Sequence, residues 1–167
     1  HPDFNVEAMQ QLDGPGDYSD VGLIFLEQAV TDVEPAIVIT PQEASQLKIR
    51  TQVTIAGWGM SSPELPATTP NSIGTSGVKY CAESEINELG DMEMQIGSDT
   101  RSSRKCHGDS GGPSYMVVNT ETTRYERVVG ITSHTYDMSD CYKGGVDTRV
   151  DVWFDWIDDQ MQKHCAN

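Results

Sequence analysis

Cys106-His107-Gly108-Asp109-Ser110-Gly111-Gly112-Pro113 is the stretch from which the fold of this 167-residue chain can be predicted. It sets one hydroxyl, that of Ser110, among glycines, with the Asp109 carboxylate directly before it. Glycine lets a backbone adopt conformations closed to other residues and approach a reacting centre. A serine in such a turn can expose its oxygen while nearby backbone N–H groups point at a developing negative charge. A short Gly/Ser segment is usually only a turn, but this ordered run of eight residues is far rarer by chance.

The octapeptide resembles the nucleophile loop of the trypsin-like serine proteases, which share the chymotrypsin fold. Peptide hydrolysis by a serine requires a base, a group that orients the base, and donors that hold the oxyanion. The resemblance implies that Ser110 is the nucleophile and that the N–H groups of Gly108 and Ser110 form the oxyanion hole. It also implies that Asp109 forms an activation salt bridge with the N-terminal ammonium that appears when a zymogen loses its propeptide. It implies no cofactor.

The composition limits the partners and the compartment. The formal net charge of -15 argues against nucleic acid or an anionic membrane, because both would repel the chain. No apolar run approaches the length of a membrane span, and this sequence contains no signal peptide. The four cysteines lack the CxxC spacing of a structural zinc site, so no metal site is expected. Disulfides are the better interpretation, and they predict a secreted or periplasmic protein.

A second landmark lies near the beginning of the chain. Asp20 leads into the apolar run 21–26, which predicts a strand buried on both faces. Taken alone, Asp20 is a loop carboxylate that ends a turn. However, His1-Pro2 followed by Asp20-Val21-Gly22-Leu23 resembles two landmarks of the protease family, in which the aspartate orients the catalytic histidine. The resemblance therefore implies that Asp20 is the acid of the catalytic triad.

The remaining segments agree with this family in order. Strands are predicted over 51–59, 78–89 and 145–150, and a hairpin over 115–118 and 127–133. A helix is predicted over 152–164, with Asp151 available as its cap. Polar loops are predicted over 6–19, 60–77 and 90–105. Val53 and Met116 stand where the family often has a disulfide, and a matched apolar contact between them supports the alignment.

We therefore expect an all-β protein with the chymotrypsin-like double β-barrel and a C-terminal α-helix. The second barrel is expected to be complete and the first partial. Residues 1–45 would provide the last strands of the N-terminal barrel and the connection between barrels. Residues 46–167 would form the C-terminal barrel and the terminal helix.

The catalytic base is missing from this sequence. The family carries its histidine in a Thr-Ala-Ala-His-Cys motif, and no such motif occurs here. His1, His107, His134 and His164 do not occupy that position, and we expect them at the surface or rim. We favour a serine endopeptidase that acts on a protein or peptide substrate. Its catalytic histidine would lie on an N-terminal chain or segment that has been cut or truncated from this sequence. The alternative is a catalytically inactive homologue that acts as a protein-binding module.

The resemblance also locates a substrate pocket. The expected substrate-binding residues are Arg104, Lys105, His107, Ser133, His134, Thr135, Gly145 and Asp147. An inward, unpaired Arg104 would favour an acidic side chain before the cleaved bond, and a lone Asp147 would favour a basic one. Pairing Arg104 with Asp147 would leave a nearly neutral pocket, because burying a lone charge is costly; alternatively, Arg104 is solvated on its loop. We lean towards basic residues, since a pocket carboxylate is the common device of the family.

The same resemblance also predicts how the cysteines pair. It implies a Cys106–Cys141 disulfide that braces the pocket. Cys81 lies near a position that the family bonds to the beginning of the protein, whereas Cys165 has no familiar partner. These two either pair with each other or each bind the segment that carries the histidine.

Overall fold

A six-stranded closed β-barrel dominates the computed structural model, which describes residues 1–9, 14–61, 76–98, 102–120, 122–137 and 141–165. The strands are β1 (Gln52–Gly57), β2 (Tyr80–Leu89), β3 (Glu93–Ile96), β4 (Pro113–Asn119), β5 (Arg124–Thr135) and β6 (Gly145–Arg149). They are antiparallel throughout and close in the order β1-β2-β3-β6-β5-β4. This closure confirms the predicted complete barrel.

Alternating side chains explain why these segments form strands. In β1, Val53 and Ile55 point inwards, and in β4 Met116 and Val118 do the same. Val53 and Met116 belong to one buried apolar cluster, as expected from their replacement of a disulfide. The predicted hairpin is confirmed, because β4 pairs with β5 from Pro113↔Ile131 to Asn119↔Arg124.

Strand β3 was not predicted, and the expectation of a loop over 90–105 is wrong for Glu93–Ile96. All four residues are buried, and the strand pairs with β2 on one side and β6 on the other. Its polar residues, Glu93 and Gln95, give this segment the composition of a loop. Met94 and Ile96 face the barrel core. The buried Glu93 and Gln95 alternate with them and have partners distant in sequence, with Gln95 donating to the Lys143 carbonyl and Glu93 Oε2 accepting from the Gly16 N–H.

The predicted strand over 21–26 does not form, and this expectation is wrong. Ile24 is 89% exposed and Leu26 is 65% exposed, whereas the prediction had both buried. A strand needs a hydrogen-bonding neighbour, and within the described residues only Val38 forms a bridge to the barrel from this region, with Val128 of β5. Residues 14–40 are otherwise irregular coil with bends, anchored by buried Val21 and Ile39. The division into 1–45 and 46–167 stays a prediction.

The two ends of the described chain are helical. Helix α1 (Val6–Met9) is a single turn inside the predicted loop 6–19, and most of the predicted loop 60–77 lies outside the described residues. At the other end, a 3₁₀ turn over Asp151–Trp153 leads into α2 (Phe154–Cys165). The expected cap at Asp151 is wrong, because its carboxylate pairs instead with Arg149 at 2.7 Å. No helix of the described residues is long and apolar enough to cross a membrane.

The apolar face of the terminal helix is narrower than its sequence suggested. Trp153 and Ile157 are buried against the barrel, and Trp156 packs beside them. Val152 is 40% exposed and Met161 is 49% exposed, so neither contributes much to this contact. The helical spacing of the tail was therefore predicted correctly, but two of its five apolar positions face outwards.

Candidate active site

The loop before β4 presents the Ser110 side chain at the surface. Gly108 and Gly111 have φ values of +93° and +78°, which L-residues with side chains rarely adopt. The Asp109 N–H donates to the Cys106 carbonyl at 3.1 Å, and the Gly112 N–H donates to the Asp109 carbonyl at 2.8 Å. Across the described part of the chain, the N–H groups of Gly108 and Ser110 meet no acceptor. Two neighbouring backbone donors are thus left open beside the exposed hydroxyl.

The Asp109 carboxylate is held by backbone donors from two segments. Its Oδ1 accepts from the Gly59 N–H at 2.8 Å, and its Oδ2 accepts from the Cys106 N–H at 2.9 Å. A Cβ added at Gly59 would lie 2.6 Å from the Asp109 carboxyl carbon, and one at Gly57 would overlap the carboxylate. The Gly-Trp-Gly sequence therefore makes room for Asp109. A cavity of about 100 Å³ lies beside this side chain, and exposed Cys81 also lines it.

The Asp20 side chain is bonded to the opposite wall of the site. Ser133 Oγ donates to Asp20 Oδ2 at 2.6 Å, and Thr148 Oγ1 donates to the Asp20 carbonyl at 2.8 Å. The preceding residue, Ser19, has a φ of +58°, an uncommon conformation for a residue with a side chain. Ser133 lines the same cleft as Ser110. The structure thus places the predicted acid behind the wall of the cleft that the predicted nucleophile borders.

The cleft at Ser110 has a volume of about 200 Å³. Six of the predicted substrate-binding residues line it: Lys105, His107, Ser133, His134, Thr135 and Gly145. Its wall also contains Cys106, which forms a disulfide with Cys141. Arg104 lines other cavities, and Asp147 is fully buried behind the cleft. The structure therefore gathers most of the predicted pocket and leaves two of its charged members outside it.

Of the alternatives for the pocket charges, the Arg104–Asp147 pair is wrong, because Asp147 pairs with Lys105, the residue after Arg104. The Lys105 Nζ lies 2.8 Å from Asp147 Oδ2, and the side chains are 2% and 0% exposed. Ser114, which sequence reasoning missed, donates its hydroxyl to Asp147 Oδ2 at 2.6 Å. The Arg104 guanidinium instead lies over the Tyr142 ring, 4.7 Å from the ring centroid.

His134 is buried, so the expectation of a surface or rim histidine is wrong there. Its side chain is 5% exposed, and its Nε2 lies 3.3 Å from Glu93 Oε2. Burial by itself lowers the pKa of this imidazole, but the hydrogen bonds to Glu93 and the Thr135 carbonyl and the charges of Glu93 and Asp20 together raise the pKa above its usual value. Glu93 was missed because it lies in the strand mistaken for a loop.

The other three histidines have different surroundings. His1 is not at the rim either, because its ring packs 4.5 Å from that of Trp153, and its side chain is only 13% exposed. His107 and His164 are exposed, as expected. Among the residues that the structure describes, no imidazole forms a hydrogen bond with Ser110 or Asp20. The described chain thus assembles a serine and an aspartate without a base between them.

The cysteines provide no metal centre at this site. Cys106, His107 and Cys141 lie close together, but the two sulfurs are bonded to each other and are not free to bind a metal ion. Cys81 is an exposed, free thiol. The side chain of Cys165 lies outside the described part of the structure, so the pairing of these two cysteines stays a prediction.

Comparison with known proteins assigns the family. A family model described as Trypsin matches residues 1–157. The chain is 28% identical to a trypsin of Phaedon cochleariae over 97% of this chain, and 29% identical to the Spaetzle-processing enzyme of Drosophila melanogaster over 86%. It is 30% identical to kallikrein 1-related peptidase b22 of Mus musculus over 68%. It spans only 59%, 38% and 45% of those proteins' own lengths. The family match, the closed barrel and the serine loop agree: this chain belongs to the trypsin family of serine proteases.

Proposed function

We propose that this chain provides the nucleophile and the orienting acid of a trypsin-like serine endopeptidase, whose catalytic histidine comes from an N-terminal chain or segment outside these 167 residues. The observation that carries the proposal is the Ser133–Asp20 hydrogen bond. It holds a carboxylate behind the wall of the cleft that Ser110 borders. An imidazole inserted between Asp20 and Ser110 would complete the set of groups that serine hydrolysis requires.

Each group has a role in the proposed reaction. The Ser110 hydroxyl passes its proton to the imidazole as its oxygen attacks the carbonyl carbon of the substrate. The Asp20 carboxylate holds the imidazole in orientation and stabilises its charged form. The open N–H groups of Gly108 and Ser110 receive the oxyanion, and such donors contribute about 3–4 kcal/mol each in known enzymes. The imidazolium then returns the proton to the leaving amine.

An exposed apolar strip supports the proposed segment. Ile24, Leu26, Val30, Val33 and Ile37 are each between 57% and 89% exposed. Large apolar side chains exposed in this number, on backbone that pairs with no described strand along residues 24–36, normally mark a surface that another element covers. Because the strip follows Asp20 directly in the chain, a β-barrel segment that pairs with it would also lie beside the catalytic groups. The free thiol of Cys81 is available for a disulfide to the same segment.

Activation is proposed to act through Asp109. The cavity of about 100 Å³ beside its carboxylate can receive the end of a chain. An N-terminal ammonium freed from a propeptide would pair there with the carboxylate and fix the loop that carries Gly108 and Ser110. The Cys106–Cys141 disulfide fits an oxidising compartment, so we propose a secreted or periplasmic zymogen.

The natural protein tests this proposal. Its intact mass before and after reduction should reveal a second chain, or a longer single chain, that contains the histidine motif. A fluorophosphonate probe should label Ser110 in that assembly and should fail to label a Ser110→Ala variant. A folded assembly that leaves Ser110 unlabelled would instead favour the inactive homologue that binds proteins.

A further inference from the structure

One of the residues that line the cleft at Ser110 is a lysine whose ammonium is paired with a buried carboxylate. This residue, Lys105, has a side chain that is only 2% exposed, and its Nζ lies among polar groups buried in the barrel. There the ammonium lies 2.8 and 3.1 Å from the two carboxylate oxygens of Asp147 and 2.9 Å from Ser114 Oγ. The Gly112 carbonyl oxygen lies 3.4 Å away. An ammonium has three protons to donate, and these three residues accept them all.

The carboxylate of the pair is equally occupied. Asp147 accepts from both Lys105 and Ser114, and its side chain is 0% exposed. It does not line the cleft. The backbone packs tightly behind it, because a Cβ at Gly130 would lie 2.7 Å from Asp147 Oδ2. A cation that entered the cleft would find no free carboxylate among the residues that line it.

The hydroxyls of the cleft wall are also engaged. Thr132 Oγ1 donates to the Gly112 carbonyl at 3.0 Å, and Ser133 Oγ donates to Asp20. A cationic side chain would therefore lose its hydration without gaining a carboxylate. An anionic side chain would find the Lys105 ammonium and the His134 Nε2 already paired with Asp147 and Glu93, so either charge is expensive to bring into this partly enclosed site. An uncharged side chain has no charge to desolvate, so it can enter the cleft beside Lys105 and the Cys106–Cys141 disulfide without this cost.

Taken with the proposed protease activity, on which this step depends, we infer that the Lys105–Asp147 pair sets the substrate class. It closes the cleft to lysine, arginine, aspartate and glutamate before the cleaved bond and leaves it open to uncharged side chains. This reverses the lean towards basic residues, because the pocket carboxylate behind that lean is neutralised inside the barrel. Lys105 and Asp147 are thus specificity-determining residues that do not take part in the chemical step.

Matched peptides test the inference in the natural assembly. One pair differs only by lysine or norleucine before the cleaved bond, and a second pair differs only by glutamate or glutamine. We expect kcat/KM to be about a hundredfold higher for the uncharged member of each pair, the size that an unpaired, desolvated charge predicts. An equal or higher kcat/KM for lysine or glutamate would overturn the inference.

Reciprocal variants identify the pair as the cause. Lys105→Ser frees the Asp147 carboxylate, and kcat/KM for the lysine peptide should then rise at least about tenfold relative to norleucine. Asp147→Asn frees the Lys105 ammonium and should raise kcat/KM for the glutamate peptide relative to that for the glutamine peptide. Lys163→Met removes an exposed lysine on α2 and should change neither ratio. If the Lys105 and Asp147 variants fold and leave both ratios unchanged, the pair does not set the preference.

A binding measurement separates this inference from the proposed activity. Benzamidine is a flat cation, and benzamide is its uncharged counterpart. Wild-type protein should bind benzamidine no more tightly than benzamide, and Lys105→Ser should prefer benzamidine. If Ser110 resists the fluorophosphonate probe, the proposed activity fails, yet this titration still decides the charge of the cleft. Tighter binding of benzamidine to the wild-type protein would overturn the inference even if the protease is active.

Discussion

The Ser133 hydroxyl donates a 2.6 Å hydrogen bond to the Asp20 carboxylate, across 113 residues of sequence. Ser133 lies on β5 of the barrel, whereas Asp20 lies in irregular coil outside it. The backbone of Asp20 is fixed separately by Thr148 of β6. Both the side chain and the backbone of Asp20 are thus bonded to the barrel, at a residue where the proposed reaction needs a positioned carboxylate.

Replacing Asp20 by asparagine should therefore abolish most activity without unfolding the protein. An asparagine amide fits the same space but holds the imidazole in the wrong tautomer, which lowers kcat by about 10⁴-fold in serine proteases. The measurement is kcat/KM of the natural assembly on an uncharged peptide, with denaturant unfolding alongside. Asp17→Asn, an exposed aspartate three residues earlier, is the matched control and should remain active. Retained activity in Asp20→Asn would remove Asp20 from the triad.

A single methyl group should distinguish the Asp109 pocket from ordinary surface. Gly59→Ala would place a Cβ 2.6 Å from the Asp109 carboxyl carbon and 2.8 Å from the Asp109 nitrogen. We expect a destabilisation of about 1–3 kcal/mol, typical of overpacking, and loss of fluorophosphonate labelling because the serine loop shifts. Gly22→Ala meets no atom within 4 Å and should change neither the unfolding free energy nor the labelling by a comparable amount. Equal labelling of both variants would show that the loop does not depend on Asp109.

The sequence predicted strands where side chains alternate and failed where polar residues are buried. Val53 and Ile55 alternate with polar neighbours, so β1 was recognisable. Glu93 and Gln95 give β3 the composition of a loop, because their partners Gly16 and Lys143 lie 77 and 48 residues away. The prediction of a strand over 21–26 was wrong for the opposite reason. The composition of this run suits a strand, but the described chain offers it no neighbour to pair with.

The site shows the same limit. The short ordered motif selects Ser110 as the candidate nucleophile, and the structure shows that this residue is exposed; its role in catalysis stays a prediction. The charge of the pocket was not predictable. Arg104 and Lys105 are neighbouring cations, and successive side chains of an extended chain point in opposite directions. Which of them reaches Asp147 depends on the path of the backbone around the barrel.

Removing one member of the buried Lys105–Asp147 pair should destabilise the fold more than removing both charges together. Lys105→Met leaves the Asp147 carboxylate, 0% exposed, with Ser114 as its remaining partner and should lower the unfolding free energy by about 3–5 kcal/mol. The double variant Lys105→Met/Asp147→Asn removes both charges and should regain part of that loss. Urea unfolding of the three proteins measures this coupling. Simple additivity of the single substitutions would show that the two charges are not energetically coupled.

The His134–Glu93 pair should make stability depend on pH. Since the pKa of His134 is raised in the folded protein, the imidazolium contributes stability that is fully present below its unfolded pKa of about 6.5 and is lost as pH rises through the folded value. In Glu93→Gln, the strongest contribution that raises this pKa is gone and burial lowers it, so the loss of stability at rising pH should disappear or reverse. The Gly16 N–H keeps an oxygen acceptor in this variant. Unfolding free energies measured across this range, with NMR titration of the His134 ring, test the prediction. Glu126→Gln, an exposed glutamate, should follow the wild-type curve, because it lies outside the pair. If the Glu93→Gln curve runs parallel to wild type, the ion pair does not form in solution.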